Sequence, residues 1–428
     1  MQETPRDVGG DGPRKVGFLR RFGPGFITGA SDDDPSGIGT YSQVGAQFGF
    51  SMLWTMLFSY PLMTTVQIIS ARIGRTTGRG IAGNMRRHYP RALVYGITGL
   101  LVIANVINIG ADIGAMGAAL QMLIGGPHLA YIGGIALASV VLQIFIPYHR
   151  YVGYLKWLTL SLFAYVVTAF VVNVPWTTAL KETFVPSIRF APEYLAALIA
   201  VLGTTISPYL FFWQASQEVE EVEGHARQHP VKQAPQQAPA QFARIRLDTF
   251  LGMAFSNIVA WAIILTAAAT LHAQGQTDIQ TAEQAAKALE PLAGHLAFVL
   301  FALGIVGTGL LAIPVLAGSA AYGVGEALEW RTGLERAPSK ARGFYSVIAI
   351  ATVIGATQNF LHINPMKALF WTAVINGVVA VPVLVMMMLM AGNSAVMGQF
   401  TVGRRLKAFG WITTAVMLAA AIGMFASM

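Results

Sequence analysis

The 428-residue sequence contains no cysteine and little charge. Without cysteine, neither a disulfide framework nor a thiolate metal site can form. Charged residues make up 11% of the chain and apolar residues 54%, whereas soluble domains are nearer to one quarter charged. The charges are clustered, and the runs between the clusters are about twenty residues long, the length of a helix that crosses a bilayer. The sequence therefore predicts an all-α integral membrane protein.

The apolar runs predict eleven membrane-spanning helices, which lie at about 24–46, 50–72, 93–123, 130–147, 154–174, 194–216, 247–270, 295–323, 343–361, 367–391 and 409–427. Residues 1–23 are polar and lack the apolar core of a signal peptide, so we expect a cytoplasmic tail there. The transmembrane domain is then expected to cover 24–428.

The basic residues indicate the orientation of the chain. With the N-terminus in the cytoplasm, only Lys181, Arg189, Lys287 and Lys367 fall outside the segments placed inside, so 24 of the 28 basic residues lie on the cytoplasmic side. This asymmetry is the one that the positive-inside rule requires. The net charge of +8 is thereby explained by topology. Nucleic-acid binding, which needs a basic face on a folded soluble domain, is not expected.

One long connection differs in composition from the rest of the chain. The segment at about 218–243 is rich in Gln, Pro and Ala, carries two histidines and shows no helical periodicity. This composition predicts a flexible cytoplasmic loop.

The first predicted helix contains the residues that are most costly to place in a membrane. Asp32, Asp33 and Asp34 lie in the middle of this span and are followed by Pro35. Carboxylates at this depth mark function by default. Proline removes the hydrogen bond to the carbonyl four residues earlier, which here belongs to Ser31. We therefore expect the helix to break at this point over a cavity lined by protein.

The sixth predicted helix has a similar interruption. Pro208 frees the carbonyl of Thr204, and Gly203, Thr205 and Ser207 are weak helix formers around it. Two interrupted helices at matching positions of two halves are typical of inverted-repeat transporters with a site near the midplane. Carboxylates together with freed carbonyls predict an oxygen-rich cation site. Asp112 in the third span is either a polar packing residue or part of the ion pathway.

The sequence around the first break resembles a known family. GPGFITGASDDDPSGIGTYSQVGAQFGFSMLW is similar to the first-helix region of the Nramp (natural resistance-associated macrophage protein) divalent-metal transporters, and GTTISPYLFFWQAS is similar to their sixth-helix region. The resemblance covers essentially the whole chain. It implies a LeuT-type fold with broken helices 1 and 6: inverted five-helix repeats at about 24–174 and 194–391, and an extra helix at 409–427.

The resemblance also implies a set of metal-site residues. The family's aspartate falls on Asp34, its asparagine on Gly37, its methionine on Ser207, its histidine on Tyr209, and its two carbonyl ligands on Ser31 and Thr204. Asp33 is expected to add a nearby or vestibule charge. In the third helix, Asn108 and Ala111 fall where the family has acids implicated in proton movement. This pattern is closer to the Nramp-related magnesium transporters than to the proton-coupled manganese and iron transporters.

The expected function is uptake of Mg²⁺ and/or Mn²⁺ through the plasma membrane by alternating access, without obligatory proton coupling. The expected partners are the divalent ion and the lipid bilayer; we expect no cofactor and see no obligate protein partner. The alternatives are a proton-coupled Mn²⁺/Fe²⁺ transporter of the same family and an organic-solute symporter of the same fold, although such symporters often leave helix 1 without a carboxylate. An intramembrane aspartyl protease would pair Asp34 with Asp112, but no catalytic motif surrounds Asp112, and the protein is not expected to be an enzyme.

Overall fold

The computed structural model describes residues 24–146, 158–225, 227–361 and 363–427. Helices lie at all eleven predicted positions within these ranges. The predictions for the tail at 1–23 and for the start of the fifth span, up to residue 157, lie outside the described residues.

The helices of the first half are α1 (Pro24–Ala30), α2 (Pro35–Phe48), α3 (Trp54–Thr77), α4 (Ile81–His88), α5 (Arg91–Ile124), α6 (His128–Phe145) and α7 (Phe163–Val171). The connecting helix α8 (Trp176–Phe184) leads to α9 (Pro192–Thr205), α10 (Pro208–Glu223), α11 (Ala238–Thr270), α12 (Ala297–Ala327), α13 (Arg342–Thr357), α14 (Pro365–Gly392) and α15 (Arg404–Ser427). Short helical segments occupy Gly49–Met52, Leu158–Leu162, Pro235–Gln237, His272–Gln274, Ala282–Ala286, Lys287–Leu289, Glu290–Ala293, Gly294–Leu296, Gln358–Leu361, Ser394–Met397 and Gly398–Phe400.

The number of helices that could each cross a membrane is smaller than eleven when judged by length and composition. The described part of the chain contains eight such helices, and Pro35–Met52 with Trp54–Thr77, bent by 107°, forms a ninth candidate. Two predicted spans account for the difference. The first is divided into the short helices α1 and α2, and the fifth is described only from residue 158 onward.

The outer surface of the bundle is apolar, as expected of a membrane protein. Large hydrophobic side chains such as Ile103, Ile124 and Phe170 are 59%, 69% and 74% exposed. Soluble monomers rarely expose large continuous apolar patches. The polar side chains are instead found inside the bundle, where Asp32, Asp112 and Asn108 are fully buried. The chain is therefore a multi-pass membrane protein with a polar interior.

Close contacts between small residues position both broken helices. A Cβ atom added to Gly29 of α1 would lie 2.3 Å from the carbonyl oxygen of Gly252 in α11. In the second half, a Cβ added to Gly203 of α9 would lie 2.0 Å from the carbonyl oxygen of Ala373 in α14. Such backbone approach is the usual way in which membrane helices pack tightly. The two breaks are thus held by helices outside the broken pair.

The loop predicted at 218–243 is shorter and better anchored than its composition suggested. The helix α10 continues to Glu223, and α11 begins at Ala238. Between them, Val231 is fully buried, and the backbone N–H groups of Val231 and Lys232 donate to the carbonyls of Arg75 and Thr76, each at 3.1 Å. The last carbonyls of a helix have no donor within that helix. The connection therefore completes the end of α3, a role that composition does not reveal.

Candidate metal-binding site

Asp34 lies at the break of the first helix and caps its second half. The chain leaves the helical conformation after α1, and α2 begins at Pro35, which has no N–H to satisfy. Asp34 Oδ1 accepts hydrogen bonds from the backbone N–H of Gly37 at 2.7 Å and from the Ser36 hydroxyl at 2.8 Å. Asp residues are favoured at this position because their oxygens satisfy the first free N–H groups of a helix. The same geometry fixes the direction of the carboxylate.

The second oxygen of Asp34 faces two other helices. Asp34 Oδ2 lies 3.1 Å from Asn108 Nδ2 of α5 and 3.5 Å from the Tyr209 hydroxyl of α10. The same Asn108 nitrogen is 3.0 Å from Asp112 Oδ2, and Asn376 Nδ2 of α14 donates to Asn108 Oδ1 at 3.0 Å. Four helices therefore meet around this carboxylate.

The break of the sixth predicted helix lies beside the first. The Ser207 hydroxyl is 2.7 Å from the carbonyl oxygens of both Gly203 and Thr204, at the end of α9. The Thr204 hydroxyl donates to the Tyr41 hydroxyl of α2 at 2.7 Å. This hydrogen bond and the contact between Tyr209 and Asp34 connect the two broken helices directly.

Asp32 and Asp33 point to a different neighbour. The Ser256 hydroxyl of α11 lies 2.5 Å from Asp32 Oδ2 and 3.1 Å from Asp33 Oδ1. The three consecutive aspartates thus divide into one carboxylate that faces α5 and α10 and two that face α11.

All of these groups are closed off from solvent. Asp34 is 2% exposed, Thr204 3%, and Ser207 and Tyr209 1% each. Among the described residues, the observed ion pairs lie elsewhere and include none of Asp32, Asp33, Asp34 or Asp112. Buried charges are costly unless they are paired or bind a metal. The arrangement therefore suits a site that receives a cation.

The structure brings together most of the residues that the sequence predicted. Asp34 contacts both Gly37 and Tyr209, and Thr204 and Ser207 form the facing break. Ser31 is buried in the turn after α1, where its N–H donates to the Thr28 carbonyl at 3.2 Å.

Asp33 is turned toward Ser256 instead of Asp34, and Ser256 itself was not anticipated. A serine inside an apolar run carries no signal that separates it from a packing residue.

Asn108 and Asn376 are also part of the cluster, although amides in membrane helices are usually explained by packing. In the sequence, the position of Asn108 in the family pattern was the only signal that indicated a role for Asn108 in the cluster.

Two discontinuous helices whose breaks meet inside a helical bundle define a membrane transporter of the LeuT type. Solved structures with this architecture are similar to the chain. They include the Eremococcus coleocola manganese transporter in complex with an aromatic bis-isothiourea substituted compound (TM-score 0.71, 17% identity, 97% of this chain and 88% of that chain). MhsT in complex with L-phenylalanine is a more distant relative in fold (TM-score 0.58, 12% identity, 94% of this chain and 98% of that chain).

Residues 25–427 match the family model described as natural resistance-associated macrophage protein-like, and the chain belongs to the Nramp family. It is also similar to the divalent metal cation transporter MntH of Klebsiella pneumoniae (strain 342), with 26% identity over 420 residues that cover 95% of this chain and 93% of that protein. The predicted family and fold are confirmed. The members of this family are transporters, so the prediction that the protein is not an enzyme is confirmed as well.

Proposed function

We propose that the protein transports divalent metal cations, Mg²⁺ and/or Mn²⁺, by alternating access. One observation carries the proposal: a buried carboxylate, Asp34, at one helix break contacts the second half of another broken helix through Tyr209. Discontinuous helices in inverted-repeat transporters bind their ions at such breaks. The names of the Klebsiella and Eremococcus relatives, a divalent metal cation transporter and a manganese transporter, agree with a divalent cargo.

The donor atoms favour a hard cation. The groups at the two breaks are the Asp34 carboxylate, the hydroxyls of Ser207 and Tyr209, and the backbone carbonyls of Ser31 and Thr204, all of which offer oxygen. Oxygen ligands suit Mg²⁺ and Mn²⁺, whereas thioether and imidazole favour later transition metals. No three Asp, Glu or His side chains among the described residues converge on one point to form a cage. Because Mg²⁺ gives up water reluctantly, it would keep much of its hydration shell here.

Metal entry would require local rearrangement at Asp34. Both carboxylate oxygens already accept hydrogen bonds, and the contact with the Tyr209 hydroxyl is the longest at 3.5 Å. We infer that the ion or its water replaces this contact. Alternating access would then open the site toward one membrane face at a time. We place the protein in the plasma membrane with the N-terminus in the cytoplasm, on the strength of the basic residues.

The direct test is uptake into proteoliposomes. Protein reconstituted with a fluorescent metal reporter should admit Mg²⁺ and Mn²⁺ faster than protein-free vesicles. Radiolabelled amino acids should not accumulate in the same vesicles, which separates this function from organic-solute symport. Accumulation of an amino acid with no uptake of either metal would overturn the proposal.

Changing Ser207 to methionine tests the origin of selectivity. Ser207→Met restores the thioether that the family pattern has at this position, so we expect the ratio of Cd²⁺ to Mg²⁺ uptake to rise by about tenfold, as a softer ligand favours softer metals. The change also removes the hydroxyl that bonds to the carbonyls of Gly203 and Thr204. Ser207→Ala is therefore the matched control, because it removes the hydroxyl without adding sulfur. Equal ratios in the two variants would show that position 207 does not face the ion.

Transport is proposed to proceed without obligatory proton coupling. A proton relay through a membrane is usually built from acids and histidines. Tyr209 and Asn108, the partners of Asp34 in α10 and α5, are a phenol and an amide, and neither is expected to titrate near neutral pH. An inside-negative potential of 100 mV favours entry of a divalent ion by about 4.6 kcal/mol, so a passive route is workable.

Paired vesicle assays that report metal entry and lumenal pH measure the coupling. We expect Mn²⁺ entry with no acidification beyond that of protein-free vesicles under the same clamped potential. Acidification in fixed proportion to metal entry would favour the proton-coupled alternative. Asp112, which shares the Asn108 amide with Asp34, would then be the first residue to change.

A further inference from the structure

Asp32, Asp33 and Ser256 form a second buried oxygen cluster, which the proposed transport site does not use. The Ser256 hydroxyl oxygen lies 2.5 Å from Asp32 Oδ2 and 3.1 Å from Asp33 Oδ1. A hydroxyl has a single proton, so it can donate to only one of the two carboxylates. The serine hydroxyl therefore supplies no proton to its contact with the other carboxylate.

The remaining oxygens of the two carboxylates have no hydrogen-bond partner in the described part of the chain. Asp32 Oδ1 and Asp33 Oδ2 are buried and unpartnered among the described residues. The exposed fractions of Asp32 and Asp33 are 0% and 1%. A buried acceptor without a donor is destabilising, and a buried carboxylate is more so. Both oxygens are thus available to a positively charged ligand.

The negative charge around the cluster also favours a bound cation. Asp34 follows Asp33 directly and shares the Asn108 amide nitrogen with Asp112, and both acids are fully or almost fully buried, so four carboxylates lie in one region of the bundle. The ion pairs found among the described residues involve other side chains, and none supplies a Lys or Arg to these acids. One divalent ion at Asp34 would balance half of this charge. A second divalent cation would balance the rest, and a monovalent cation would balance half of the rest.

We propose that Asp32, Asp33 and Ser256 bind a second hard cation, separate from the ion at Asp34. Carboxylate and hydroxyl oxygens are ligands for Na⁺ or for a second Mg²⁺ or Mn²⁺, and water would complete the coordination. The ligands come from the turn after α1 and from α11, so a bound cation would fasten the first half of the broken helix to α11. The packing of Gly29 on Gly252 already brings these two elements into contact.

The test uses full-length protein in which the transport site has been removed. In Asp34→Ala, any stabilisation by a cation must arise elsewhere, so the result does not depend on the function proposed for Asp34. We expect 100 mM NaCl in place of choline chloride, or 10 mM MgCl₂ or MnCl₂, to raise the thermal unfolding midpoint by roughly 2–4 °C. The cation that acts at the lowest concentration identifies the ligand. Na⁺ alone indicates a monovalent site, and Mg²⁺ or Mn²⁺ indicates a second divalent site.

Two further variants locate the effect. Asp34→Ala combined with Asp32→Asn and Asp33→Asn should lose the cation-dependent shift, and Asp34→Ala with Ser256→Ala should reduce it without changing the number of carboxylates. Asp34→Ala with Asp278→Asn is the control, because Asp278 is exposed in a loop and its loss should leave the shift intact. A shift that survives in the variant lacking Asp32 and Asp33, or the absence of any shift in Asp34→Ala, overturns the proposal. If Asp34→Ala binds the second cation but still transports metal normally, the function assigned to Asp34 fails and the second site stands.

Discussion

Replacing Asp34 by alanine should reduce metal uptake to the level of protein-free vesicles. Asp34 is the carboxylate that contacts both the start of α2 and Tyr209 of α10. The neighbouring acids have other partners, because Asp33 faces Ser256 and Asp112 Oδ2 accepts from the Asn108 amide. Without this charge, a divalent ion would enter a buried site that offers only hydroxyls and carbonyls, which is strongly unfavourable.

The same variant should still fold and insert. Losing the cap of α2 costs about 1 kcal/mol, and removal of one of four buried carboxylates relieves repulsion. Size-exclusion chromatography and thermal unfolding establish folding, and proteoliposome uptake of Mn²⁺ and Mg²⁺ gives the activity. Asp278→Ala, an exposed acid in a loop, should transport at the normal rate. Normal uptake by well-folded Asp34→Ala would remove Asp34 from the site.

Replacing Glu218 by alanine should lower the free energy of unfolding by about 3–5 kcal/mol. Glu218 Oε2 lies 2.5 Å from Arg244 Nη2 and 3.8 Å from Arg75 Nη1, and Arg244 Nη1 lies 3.3 Å from Asp248 Oδ2. The side chains of Arg75 and Glu218 are 0% and 1% exposed. The truncation would leave a buried guanidinium without its carboxylate, which is the costly half of a buried ion pair. The network joins α3, α10 and α11, so the loss should lower the thermal unfolding midpoint.

The matched control lies on the same helix. Glu223 pairs with Arg336 at 2.8 Å, but the two side chains are 54% and 42% exposed. Exposed ion pairs contribute about 0–1 kcal/mol, so Glu223→Ala should unfold close to the wild-type temperature. Similar midpoints for the two variants would mean that burial does not control the strength of this network.

The breaks in the two helices could be predicted because proline acts locally. Pro35 and Pro208 each lack an N–H, and in the structure each is the first residue of a second half-helix. The capping role of Asp34 follows from the same local rule. The membrane spans and the family could likewise be predicted, because composition and sequence motifs indicate them without knowledge of tertiary contacts.

The partners across the bundle could not be predicted in the same way. Ser256 is more than two hundred residues from Asp32 in sequence, and nothing around it differs from an ordinary membrane helix. The anchoring of Val231 on the end of α3 was missed for a similar reason, since a Gln- and Pro-rich segment has no intrinsic order. Such contacts depend on free carbonyls and unpaired carboxylates that lie on distant helices, so the local sequence does not reveal them.

Local features of the sequence suffice to predict the class of the protein, the order of its helices, its two breaks and the aspartate at the first of them. These features depend on apolar length, on proline and on the cost of charge in a membrane, all of which act within one segment. The division of the three aspartates is a tertiary feature, with Asp34 turned toward Asn108 and Tyr209 and the other two toward Ser256. That division depends on which helix packs against each side of a non-helical turn. Close glycine contacts such as that of Gly29 with Gly252 hold α1 against α11 next to this turn, and their pairing exists only in the assembled bundle.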